Sequence, residues 1–265
     1  MVSRVWLLAV SFSMAQVVPA ALAQTAPPHD GLVAESRTGQ PAVQPPQATI
    51  VTPELRGDIF MAKKMYREAV EAYKEAPRDS AVALNKTGIA YHQMLKLDMA
   101  EKYYRLAIKA NPHYAEAVNN LGTIYFSEKS YRRAISQYKK ALRISPTAAS
   151  IWSNLGSGYF ERKDYKRAFE AWQKALALDP EVFESRSTQG VLISQQTVEE
   201  RAKYHMFLAR VYAQNGRNEL ALNYIRKALE EGYKERKKLA EDPAFAQLKD
   251  LPEFKELLAM EPRVL

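Results

Sequence analysis

Asparagine and phenylalanine recur at fixed places along this chain, and the chemistry open to such residues is binding. Asn120 and Asn154 stand 34 residues apart, as do Phe126 and Phe160. An amide side chain donates and accepts at once, which suits the backbone of an extended segment, and a phenylalanine beside it can seat an apolar side chain. The same places elsewhere complete a candidate binding set of Asn85, Ile89 and His92, then Asn119, Asn120, Thr123 and Phe126, then Asn154, Ser157 and Phe160, and finally Met206 and Arg210. Glu54 and Asp58 would add an acidic pair near the start.

Nothing is spaced for catalysis. The histidines His29, His92, His113 and His205 lie far apart, and the sequence holds no HExxH, no glycine-rich phosphate loop and no motif pairing two carboxylates. A metal site needs at least three convergent ligands, and none is visible. With no cysteine in 265 residues, disulfides, thiolate metal sites and cysteine nucleophiles are excluded. No cofactor, metal or enzymatic activity is expected.

The elements that must position the binding set repeat with a period of 34 residues. Counting from Ala81, Ala115 and Ala149, place 4 holds Leu84, Val118 and Trp152, place 7 Thr87, Leu121 and Leu155, and place 8 Gly88, Gly122 and Gly156. Place 11 is tyrosine throughout (Tyr91, Tyr125, Tyr159) and place 20 alanine (Ala100, Ala134, Ala168). Place 24 holds Tyr104, Tyr138 and Trp172, place 27 Ala107, Ala141 and Ala175, and place 32 Pro112, Pro146 and Pro180. Places 4, 7, 8 and 11 share one face of a first helix, and places 20, 24 and 27 one face of a second. The small residues let the two backbones approach, the aromatics fill the space beside them, and the prolines end each second helix. Places 2, 5, 6, 9, 12 and 13 fall on the opposite face of the first helix, and the binding set is drawn from them.

This pattern resembles the tetratricopeptide repeat family. Of the eight signature places in three copies, only Thr87 departs from the usual residue type. The resemblance implies an all-α fold, a right-handed superhelical solenoid of antiparallel helix pairs whose concave groove is lined by the first helices. It also implies a protein or peptide partner held by a non-catalytic scaffold. One subclass of the family grips a C-terminal carboxylate. Asn120 matches its central asparagine, but Asn85, Ile89, Ser150 and Asn154 replace its other residues, which disfavours capture of chaperone tails.

The period sets the domain limits. Residues 1–23 read as a signal peptide: Arg4 precedes an apolar run ending at Val18, Pro19 breaks it, and Ala21-Leu22-Ala23 offers a cleavage site before Gln24. An exported chain, periplasmic or secreted, is the expectation, and no cysteine follows the cleavage site to anchor it as a lipoprotein. Residues 24–49 form a proline-rich linker expected to be disordered. The array occupies 50–235, with copies at 50–80, 81–114, 115–148, 149–182 and 202–235 and an inserted loop at 183–201. The first copy is shortened, and Val191 to Ile193 in the insertion suit a short strand pair or an ordered loop. Residues 236–265 offer two proline-started helices, at Pro243 and Pro252, as a C-terminal cap.

The net charge of +8 loses one unit with Arg4, and the excess concentrates on second helices and loops, among them Arg132, Arg133, Lys139, Lys140, Arg143, Lys166, Arg167 and Lys174. Such a face keeps a long surface soluble. The alternative function is a structural, cell-envelope-associated protein that contacts an anionic polymer there. Nucleic acid is not expected as a partner of an exported chain.

Overall fold

In the three regular copies each first helix starts at the residue the period designates, and each second helix stops where proline approaches. The computed structural model describes residues 51–184, 197–235 and 238–260. The array opens with α1 (Pro53–Ala62) and α2 (Tyr66–Lys74), followed by α3 (Ala81–Gln93) and α4 (Leu97–Ala110). Then come α5 (Ala115–Ser127) with α6 (Tyr131–Ile144) and α7 (Ala149–Glu161) with α8 (Tyr165–Leu178). A last pair, α9 (Val198–Gln214) and α10 (Asn218–Glu230), precedes a 3₁₀ helix (Pro243–Leu248) and α11 (Pro252–Ala259). Each first helix packs on its own second helix and on the second helix before it, and the described residues contain no strand. No helix among them is long and apolar enough to cross a membrane.

The contact inside each pair is a glycine against an aromatic ring. A Cβ added at Gly88 would lie 2.6 Å from the Tyr104 ring, and one at Gly122 2.6 Å from the Tyr138 ring. Gly57 faces Tyr73 and Gly156 faces Trp172 in the same way. All four rings are buried. The last pair shows that the two places depend on each other: Ala209 replaces the glycine, Ile225 replaces the ring, and both are fully buried. An aliphatic side chain leaves the room that a methyl group needs.

The turns inside the pairs use a device that no sequence marker announced. Place 15 is left-handed in every copy: Lys64 (φ 59°), Leu95 (φ 58°), Lys129 (φ 59°), Lys163 (φ 60°) and Gly216 (φ 70°). The amide of place 16 then donates to the carbonyl of place 11, as from Lys96 to Tyr91 (3.0 Å), Ser130 to Tyr125 (2.8 Å) and Asp164 to Tyr159 (3.0 Å). The place-15 amide reaches back to place 12, Lys129 to Phe126 at 2.8 Å. This is the Schellman ending, in which two orphan carbonyls of the first helix gain partners. At the other end, Asn111, Ser145 and Asp179 precede the prolines and take extended backbone (φ −138°, −129° and −144°), as the proline ring requires. After α10, where Tyr233 stands in place of proline, Gly232 (φ 79°) ends the helix instead.

The core divides. A small cluster of Ala69, Val70, Tyr73 and Ala90 serves the first pair, and a second, continuous cluster runs from Ala100 to Leu257. Tyr91 packs against both. The last pair docks differently from the others. α9 begins one turn ahead of the period, with a capping box between Thr197 and Glu200, and packs less extensively on α8 than α5 and α7 pack on the second helices before them. The insertion is held at its start: Phe183 is buried against Tyr212, and the Glu184 carboxylate accepts from the Tyr212 and Tyr224 hydroxyls, each at 3.1 Å. Its strand pair or loop, like the signal peptide and the linker, lies outside the described residues. Of the two proline-started cap segments, the first is 3₁₀ and the second α-helical, with Phe245 and Phe254 fully buried under the array.

Two substitutions check this account by urea unfolding. Gly122→Ala drives a methyl into the Tyr138 ring and is expected to cost about 1–3 kcal/mol. Lys129→Gly relieves a left-handed β-carbon and is expected to add about 0.5–1 kcal/mol.

Candidate functional site

Place 5 of one repeat and place 6 of the next meet where neighbouring first helices run side by side. The Asn120 amide donates to the Asn85 carbonyl (3.0 Å), and one repeat on, the Asn154 amide donates to the Asn119 carbonyl (2.9 Å). Asn119 donates in turn to Asn120 (3.4 Å), and Asn85 to the Tyr114 hydroxyl (3.4 Å). The four amides therefore form one directed chain across three first helices. Sequence reading assigned them to a ligand. The structure shows that part of their capacity already joins the repeats, and that Asn85 is buried in doing so. Each amide group keeps a second N–H, so Asn119, Asn120 and Asn154, which are half-buried, still present donors. At the start of the array, Lys86 takes the equivalent role by pairing with Asp58 (2.6 Å), which also accepts from Tyr73 (2.7 Å). Asp58 is therefore no free groove acid.

The phenylalanines are not open seats either. Phe126 and Phe160 are buried, because a tyrosine five residues later folds over each: Tyr131 on Phe126 (5.2 Å between centroids) and Tyr165 on Phe160 (5.6 Å). Phe160 also meets Trp172, Tyr204 and Phe207 at 5.4–5.8 Å. Burial and the Glu161 carboxylate push the Tyr131 phenol up to about 12. Met206 and Ser157 are likewise buried, Met206 in the main core and Ser157 donating to the Ser153 carbonyl (3.1 Å). Thr123 donates to the Asn119 carbonyl (3.3 Å), and Ile89 packs on the core edge.

What remains open is a cavity of about 350 Å³ that sequence reading missed. Tyr165 and Phe207 stack at 4.9 Å on its wall, with Tyr233 beside them and Lys203 and Arg210 at the rim. Tyr165 is 37% exposed, so the stack presents apolar surface outward. Glu199 bridges Lys203 (2.9 Å) and Lys234 (3.0 Å), and these two ammonium groups hold its carboxyl below the usual carboxylate range. Arg210, the one member of the sequence set at this cavity, pairs with Asp242 (2.7 Å) and lies over the Phe207 ring (5.1 Å). The available signal was the tyrosine at place 17, which recurs as Tyr66, Tyr131 and Tyr165.

His92 is set apart from this cavity. Its Nε2 is buried without a hydrogen-bond partner among the described residues, and burial pushes its imidazole below the ordinary value. The unfolded chain therefore takes up a proton first as pH falls below about 6.5, so protonation favours unfolding. Stability is expected to drop between pH 7.5 and 5 by a larger amount in the parent chain than in His92→Gln, as read by urea midpoints.

Among the described residues, no group of three or more histidine, aspartate or glutamate side chains could hold a metal ion. Family models described as tetratricopeptide or TPR repeats match residues 81–114 and 202–231, 122–159, and 149–182. No curated protein matches in sequence. Similar solved structures include a MamA crystal structure, at 22% identity over 70% of this chain and 97% of that one, with a TM-score of 0.46. MamA from Desulfovibrio magneticus RS-1 is similar at 21% identity over 66% of this chain and 90% of that one, with a TM-score of 0.46. A chain of the APC/C Cut9–Hcn1 hetero-tetramer is similar at 19% identity over 78% of this chain and 35% of that one, with a TM-score of 0.50, a likeness of fold. The helix pairs, their shared glycine–aromatic contact and the matching repeats lead to one conclusion: this chain belongs to the tetratricopeptide repeat family and is an all-α protein-interaction scaffold.

Proposed function

We propose that the first-helix face holds an extended segment or helix of a partner protein, anchored by an apolar side chain in the Tyr165–Phe207 cavity. The observation that carries this reading is the outward-facing stack of those two rings on the wall of an unfilled cavity of about 350 Å³. Aromatic anchors beside charged rims supply most of the energy at such interfaces. Lys203 and Arg210 flank the opening, and the amide groups of Asn119, Asn120 and Asn154 offer donors to a main chain passing along the first helices.

The partner belongs in the cell envelope on this reading, because residues 1–23 have the charge, apolar run and small-residue ending of an export signal. N-terminal sequencing of the protein recovered from the envelope fraction is expected to begin at Gln24. Retention of Met1 in a cytoplasmic product would remove the export reading.

The groove reading is tested by in-cell crosslinking with the parent chain and with Tyr165→Ala/Phe207→Ala. Loss of two anchor rings is expected to weaken capture of a specific protein by at least about thirtyfold, while circular dichroism shows the helices intact. Equal capture by a folded double variant would sink the proposal.

A further inference from the structure

The chain seats one of its own carboxylates in a way that it prepares a second time without supplying the acid. Between α4 and α6, on the side of the second helices, Glu101 accepts from the Tyr125 hydroxyl (3.0 Å) and from Arg105 (2.8 Å), with Arg133 4.0 Å away over the Tyr125 ring. In repeat terms, the receptor is the place-11 tyrosine, the place-25 cation of the preceding repeat and the place-19 arginine. The acid comes from place 21.

One repeat on, the same three places hold Tyr159, Lys139 and Arg167, and both cations lie 5.6 Å from the Tyr159 ring centroid. Place 21 is now Ile135, a buried aliphatic. Among the described residues the Tyr159 hydroxyl has no hydrogen-bond partner and Lys139 no carboxylate, and Arg167 pairs only with its neighbour Asp164 (3.3 Å). A second precedent shows what this tyrosine place takes when offered an acid: Tyr212 donates to Glu184 (3.1 Å).

The receptor belongs to a cleft of about 660 Å³ lined from α6, α7 and α8, where Trp152, Leu142 and Leu155 give apolar surface and Arg143 and Lys174 add two cations. Glu170 is the one acid at the cleft, on the same helix as Lys174 and outside ion-pair distance of it. A bare phosphate polymer or a lipid headgroup would leave the apolar surface uncovered, whereas a peptide carrying an acid beside a large apolar residue fills both parts. The internal precedents are also carboxylates. We infer that this cleft binds an acidic segment of a partner protein, one glutamate or aspartate side chain taking the place that Glu101 fills one repeat earlier and an adjacent apolar side chain covering Trp152. This surface lies on the second-helix side and does not depend on the groove reading.

The test uses the full mature chain and a fluorescein-labelled nonapeptide of alternating glutamate and leucine, read by anisotropy at low salt. Saturable binding is expected, at least tenfold weaker for the glutamine–leucine counterpart and at least tenfold weaker with Lys139→Gln/Arg167→Gln. Ile135→Glu supplies the acid from within and is expected to abolish binding. Because that variant puts a carboxylate in a buried position, Glu101→Gln provides an independent arm: it vacates the earlier receptor and should add a second site for the peptide. The inference is overturned if the parent chain does not bind the peptide at millimolar concentration. It also fails if the variants bind it as the parent does, if polyphosphate or phosphatidylglycerol vesicles bind the cleft in preference to it, or if the cleft proves by sedimentation to be occupied by a second copy of the chain.

Discussion

A tyrosine or tryptophan ring packed against a glycine fixes the distance between the two helices in the first four pairs, and the rest of the array follows from that distance. With a Cβ excluded at Gly88, Gly122 and Gly156, the second helix comes near enough for the alanines at places 20 and 27 to be fully buried. The ring supplies the volume that the small residues give up, so packing is kept without long side chains between the backbones. Ala209 against Ile225 in the last pair is the same constraint solved with other residues.

Regular spacing in turn decides which polar groups can meet. Amides on adjacent first helices reach each other because the helices are set at a constant step, and the Asn120–Asn85 and Asn154–Asn119 bonds are one contact written twice. On the other side, the same step brings a tyrosine under two cations in successive clefts, with a native acid in one of them. The two faces thus differ in kind: a self-paired amide chain inside, cations with uncommitted valence outside.

The glycines, alanines and prolines made the helix pairs legible, since each acts through backbone sterics that do not depend on distant sequence. The candidate site was harder to read. Burial of Phe126 and Phe160 depends on tyrosines that belong to the next helix, and only the turn between them brings the rings together. That turn is built on Lys129 and Lys163 in a left-handed conformation usually marked by glycine. The asparagine pairing joins residues 35 apart in sequence, one more than the period, so a scan of equivalent places overlooks it. The Tyr165–Phe207 cavity lies where α9 packs less extensively on α8, after an insertion where the period carries no information.

The division of the core at Tyr91 leaves the first helix pair with a small cluster that it shares only with α3. In a stacked array an interior pair is held by two neighbours and an end pair by one, so an end pair with a small cluster opens at lower cost than those sharing a long one. Opening α1 and α2 would leave the larger core covered by α3 and turn residues 51–80 into free chain. A segment of that length spans up to about 100 Å when extended. Unpacking the first pair from α3 would thus lengthen the chain ahead of the array while the larger core stays closed.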